Sequence, residues 1–142
     1  MTRESFRMWG FVLVSLILLS FAVSSHAAAQ NAGGSTKAAL SDFKRLEGKW
    51  QRPDGGYVLE LKEIGKDGAV KAAYFNPRPI NVARAELKRR DGMLTLFVEL
   101  RDINYPGSKY NLQYDPGLDR LIGTYFQAVE KQTYDIEFVR VK

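Results

Sequence analysis

Ser108-Lys109-Tyr110-Asn111-Leu112-Gln113-Tyr114, then Asp115-Pro116-Gly117, then Arg120-Leu121-Ile122-Gly123-Thr124-Tyr125 is the stretch on which the fold turns. Before the turn, Tyr110, Leu112 and Tyr114 alternate with polar residues. After it, Leu121, Gly123 and Tyr125 keep the same two-residue rhythm. A period of two belongs to a strand with one buried face, and Asp-Pro-Gly is turn chemistry, so the stretch predicts an antiparallel hairpin. Working outward, the rhythm predicts strands over 48–52, 57–64, 69–75, 80–89, 93–100, 108–114, 120–128 and 132–141. Pro53-Asp54-Gly55-Gly56, Gly65-Lys66-Asp67-Gly68, Asn76-Pro77-Arg78-Pro79, Asp91-Gly92 and Asn104-Tyr105-Pro106-Gly107 separate them.

Links this short force antiparallel neighbours, because a parallel crossover needs about a dozen residues or more. Closing such a meander removes two exposed edges. The expected fold is therefore all-β, an eight-stranded antiparallel up-and-down barrel. A short N-terminal helix precedes it, on which Leu40, Phe43 and Leu46 recur at a spacing of three. Alternation places Leu59, Leu61, Val70, Ala72 and Tyr74 inside, followed by Leu94, Leu96, Val98, Tyr110, Leu112 and Tyr114. The last two strands add Leu121, Gly123, Tyr125, Tyr134, Ile136 and Phe138. In strand 80–89, Ala83, Ala85 and Leu87 face inward if Arg84, Glu86 and Lys88 face water.

The N-terminus reads differently. Arg3 and Arg7, an apolar run from Met8 to Val23 and the small residues Ala27-Ala28-Ala29 have the order of an export signal, so residues 1–29 are read as a signal peptide. Cleavage after Ala29 is expected, with cleavage after Ala27 and a retained anchor as the alternatives. Residues 30–35 form a flexible leader and residues 36–142 the single barrel domain, a monomer. With no cysteine there is no lipobox, so the protein is expected to be exported, to the periplasm or the medium, as a soluble species.

Removing that signal removes the only histidine, His26, and leaves no cysteine either. Nitrogen- or sulfur-based metal sites are excluded by composition, and no cofactor is implied. The +5 net charge has one compact basic cluster, Lys88-Arg89-Arg90, which reads as a solvated hairpin tip and not a nucleic-acid site in an exported protein. Glu99, Asp102 and Asn104 could be paired acids, but aspartate and asparagine before proline-glycine are ordinary turn formers. No nucleophile motif or phosphate loop is present, so no catalytic residue and no enzyme is expected.

All seven tyrosines lie beyond residue 29. Tyr57, Tyr74, Tyr110, Tyr125 and Tyr134 fall on the inward phase, where a dry core would favour phenylalanine because each hydroxyl needs a partner. They predict either a small amphipathic ligand held by Tyr74, Tyr110, Tyr125 and Tyr134, with Asn81 and Gln127 at the strand ends, or hydroxyls that satisfy one another. Between Pro77 and Pro79, Arg78 is expected to be held outward on a rigid loop, able to meet a carboxylate or phosphate.

A short helix, Leu46-Glu47-Gly48-Lys49-Trp50 opening the first strand, seven further strands and Arg140 near the end of the last one resemble the calycin superfamily of lipocalins, fatty-acid-binding proteins and avidins. The chain also resembles small exported bacterial proteins. The resemblance implies that Trp50 seals one barrel end and that Arg140 packs over it as its structural partner. It also implies a lipocalin-like binding protein with a small amphipathic ligand in the barrel mouth. The second function expected is that of an envelope structural or interaction protein. Its barrel is filled with side chains and its loops, 76–79 and 102–108, bind a partner protein.

Overall fold

The computed structural model describes residue 38 and residues 40–142; the stretches read as signal peptide and leader, with His26, lie outside them. A short helix, α1, over 40–44, leads into nine strands. They are β1 (Gly48–Gln51), β2 (Val58–Lys62), β3 (Lys71–Asn76), β4 (Arg78–Ile80), β5 (Val82–Arg90), β6 (Met93–Asp102), β7 (Tyr105–Asp115), β8 (Arg120–Gln127) and β9 (Gln132–Arg140). All pair antiparallel in one sheet of order β4-β3-β2-β1-β9-β8-β7-β6-β5. The first and last strands therefore meet, with Trp50 opposite Arg140.

The result is a nearly closed barrel of nine strands, not eight. The extra strand is β4, which the proline pair predicted as loop. Tyr74 pairs with Ile80, Phe75 with Pro79 and Asn76 with Arg78. Proline is tolerated here because β4 is a sheet edge, where a missing N–H interrupts no ladder. The seam between β3–β4 and β5 is narrow. Ala69 bridges to Glu86, the Leu87 N–H donates to the Gly68 carbonyl at 2.8 Å and the Arg101 N–H to that of Asn81 at 3.0 Å. Gly68 has a φ of +84°, and a Cβ there would lie 2.0 Å from the Leu87 oxygen, so only glycine allows this approach.

Two irregularities correct the alternation. A register shift between Val82 and Arg84 turns Val82 inward and leaves Ala83 exposed, as a β-bulge does. A second shift at Leu100/Arg101 lets β6 and β7 run past the expected turn, so Tyr105-Pro106-Gly107 are strand and only Ile103-Asn104 form the tip. Tyr134, expected inside, is 40% exposed.

Elsewhere the inward set closes on itself. Leu59, Leu61, Leu96, Val98, Leu121 and Phe138 are fully or almost fully buried, and the barrel midsection is packed with side chains. One end is plugged by α1 and the turn after it, whose Phe43 and Leu46 join the core beside Trp50. The Trp50 indole donates to the Leu46 carbonyl at 2.9 Å, and Tyr114 meets its ring edge-on at 6.1 Å. The Arg140 guanidinium lies 4.1 Å from the Trp50 ring centroid and donates to the carbonyls of Glu47 at 2.9 Å and Arg45 at 2.6 Å. It also grips Asp119 at 2.7 and 3.1 Å. One cation thus stacks on the indole, caps the chain leaving α1 and ties down the β7–β8 turn.

Arg140 holds the Asp119 carboxyl below its usual range; burial opposes this and the Tyr114 hydroxyl adds to it. A depressed carboxylate stabilises the fold above its unfolded value, about pH 3.9 for aspartate, and that contribution is lost as pH falls through the lower folded value. Asp119→Asn should therefore flatten the loss of stability below about pH 4. Urea midpoints of both proteins across that range test it, and parallel curves would refute the linkage.

Candidate functional site

At the opposite end the loops between β1 and β2, β3 and β4, β6 and β7, and β8 and β9 surround an open hollow of about 460 Å³. Its aromatic wall is Tyr57, Tyr105, Tyr125 and Tyr134. Asn76, Asn104 and Gln127 supply amides, and Arg52, Asp54 and Glu130 the charges.

Arg52 organises the floor. It follows Trp50 by two residues, so the strand phase that buries the indole also sends this guanidinium inward. It is 8% exposed, and its charge is compensated on every side. The Tyr57 ring lies 4.4 Å from the guanidinium and that of Tyr125 5.7 Å. Nε and Nη2 both donate to the Asp54 carboxylate, the first at 2.9 Å, and Nη1 donates to the Tyr110 hydroxyl at 3.3 Å. Burial works against the charge, but Asp54 and Tyr110 outweigh it and raise the guanidinium's affinity for its proton.

Beneath Arg52 the tyrosines satisfy one another. The hydroxyls of Tyr74 and Tyr110 are 2.8 Å apart, Tyr110 stacks on Tyr125 at 4.5 Å, and Tyr105 meets Tyr74 edge-on at 6.2 Å. The Asn76 amide donates to the Tyr105 hydroxyl at 2.6 Å. Burial raises Tyr74, with Tyr110 adding to it. Burial also pushes Tyr110 up to about 12, against the pull of Tyr74 and Arg52. Near neutral pH both phenols stay protonated and serve as hydrogen-bonding groups, not as bases.

The seven residues assigned to a ligand from the sequence do not share one place. Tyr125, Gln127 and Tyr134 line the hollow. Tyr74 and Tyr110 lie under its floor, 1% and 0% exposed. Arg78 is exposed on β4, away from the lining. Asn81 is a seam residue: its amide donates to the Arg101 carbonyl at 3.0 Å and its N–H to Asp102 at 2.9 Å. Of the acids considered for catalysis, Glu99 pairs with Arg101 at 2.6 Å and Asp102 accepts backbone N–H groups. Among the described residues no three His, Cys, Asp or Glu side chains are placed to hold a metal.

Sequence reading missed Arg52 and Asp54. The available signal was a charged residue on an inward phase, followed by an acid two residues on. Tyr105 was hidden in what read as a turn, because the bulge that carries it into β7 leaves no mark in the alternation.

The chain was compared with known families, proteins and structures. No family model, curated protein or solved structure matches it. The nearly closed antiparallel barrel with one short helix is compatible with a calycin-like fold.

Proposed function

We propose that this chain is an exported binding module of calycin type that takes a small amphipathic ligand into the helix-free mouth of the barrel. The observation that carries this reading is the hollow itself. At about 460 Å³ it falls within the range of small-molecule sites, and it combines aromatic walls with a few convergent polar groups, as such sites do. The filled midsection limits the ligand to the mouth, so the site is a cup over a solid floor. Export rests on the order of basic, apolar and small residues in 1–29.

A panel of small aromatic and amphipathic compounds, read by melting temperature and by backbone amide shifts, tests the reading. Shifts should cluster at Tyr57, Tyr105, Gln127 and Tyr134. Tyr134→Ala is the sparing variant, because its ring is half exposed and, among the described residues, its hydroxyl touches only Glu130 and Gln132. Loss of one aromatic wall should weaken binding by about tenfold. A panel that moves neither the melting point nor the mouth amides would remove the proposal. The exported product should begin at Gln30 by intact mass, and retention of Met8 to Val23 would count against cleavage.

A second reading draws on the hairpin tips. Ile103 is 92% exposed and Val129 60% exposed, and both sit on turns at the mouth end. Apolar tips beside a filled barrel suit an envelope interaction protein, which would co-purify with a stoichiometric partner lost on Ile103→Asp.

A further inference from the structure

We propose that Asp54 is a built-in competitor at the Arg52 guanidinium, and that the ligand of the mouth is a small aromatic monocarboxylate that displaces it. This rests on the mouth being a binding site and adds the chemistry of its occupant.

The two partners are held unequally. Arg52 is held on several sides by Tyr57, Tyr125 and Tyr110, and it is buried. The Asp54 side chain is 59% exposed, and among the described residues Arg52 is its only side-chain partner. It stands on Pro53-Asp54-Gly55-Gly56, a turn with open space around Gly56. Of the two, the guanidinium is the fixed half and the carboxylate the movable one.

The two donors that Asp54 takes, Nε and Nη2, form the planar fork that matches a carboxylate with two parallel hydrogen bonds. Asp54 therefore shows where a ligand carboxylate fits. Exchanging one carboxylate for another never leaves the buried cation unpaired, which is the costly state, and the released Asp54 passes into water. A neutral ligand gains nothing from this exchange and must bind with Asp54 in place.

The remaining groups narrow the class further. Tyr125 and Tyr57 flank the guanidinium, so a ring attached near the carboxylate finds aromatic faces at once. Glu130, held by the Tyr134 hydroxyl at 2.6 Å, puts a second negative charge on the rim and disfavours a dianion.

Self-occupancy weakens apparent affinity by the fraction of molecules whose fork is free, and removing the competitor removes that factor. 3-Phenylpropionate and its neutral amide, 3-phenylpropanamide, are the probes, titrated by calorimetry and amide shifts into wild type, Asp54→Asn and Glu130→Gln. Asp54→Asn should tighten 3-phenylpropionate by about tenfold and leave the amide unchanged. Glu130→Gln, which removes a nearby charge without freeing the fork, should tighten it only about twofold. Equal gains in the two variants would overturn displacement by reducing it to general repulsion. If the amide binds the mouth as well as the acid in every variant, the carboxylate assignment falls while the mouth stands. If neither probe shifts a mouth amide in any variant, the mouth reading falls and this proposal with it.

Discussion

Trp50→Ala is expected to lower the stability of the barrel by about 3–5 kcal/mol, the range for deleting a large buried aromatic. Trp50 has no exposed surface and stands where the first and last strands meet. Truncation removes more than its area. The Leu46 carbonyl loses its indole donor, Arg140 loses the ring beneath it and Tyr114 loses its edge contact. Few neighbours can refill the space, because α1 is a single short element and β1 is pinned on both sides by β2 and β9. Urea unfolding followed by tyrosine fluorescence measures the loss. Arg140→Lys provides the graded comparison, since it keeps the charge but gives up the planar stacking and fork. A Trp50→Ala protein within about 1 kcal/mol of wild type would show that this end is not the keystone of closure.

Gly123→Ala should be as damaging although it adds a single carbon. Gly123 lies on the inward phase of β8 between Leu121 and Tyr125, opposite Leu112. A Cβ there would stand 2.0 Å from the Asn111 carbonyl oxygen and 3.0 Å from the Leu112 Cα. Both are backbone atoms that cannot rotate away. Relief requires β7 and β8 to part where they carry Tyr110 and Tyr125, whose stacked rings form the floor of the mouth. Overpacking of flexible cores costs about 1–3 kcal/mol, and a backbone collision should reach or exceed the upper end. Thermal melts and hydrogen-exchange protection at Asn111 and Leu112 provide the check. Gly56→Ala, with nothing within 4 Å of the added carbon, is the neutral control. Equal melting points for the two variants would show that the strands separate easily.

The framework was legible because it is written locally. Seven of the eight expected strands appear with both ends within two residues of those read from alternation, and Tyr110, Leu112, Leu121, Ile136 and Phe138 are buried as their phase requires. The misplaced residues share a cause. Ala83 turns outward and Tyr105 enters a strand because β5 and β7 carry bulges, and a bulge relieves curvature that exists only once the sheet has closed. Strand β4 was invisible because proline in a sequence argues against a strand. Only the assembled sheet shows that the strand is an edge.

For the candidate site the division is sharper. Tyr125 and Tyr134 were found by phase, but phase alone cannot tell a residue at the mouth from one under its floor, which is where Tyr74 and Tyr110 lie. Depth along a barrel depends on how the strands are staggered, and no single strand records that.

The sequence by itself determined an antiparallel all-β chain with a buried aromatic at its first strand, because two-residue periodicity, turn residues and short links are properties of neighbouring positions. Only the tertiary structure decided the ninth strand, the seam at Gly68 and the meeting of Arg52 with Tyr110 and Tyr125. Arg52 and Tyr110 lie 58 positions apart in the sequence. Such features arise from curvature, stagger and closure, which belong to the whole sheet and to none of its strands.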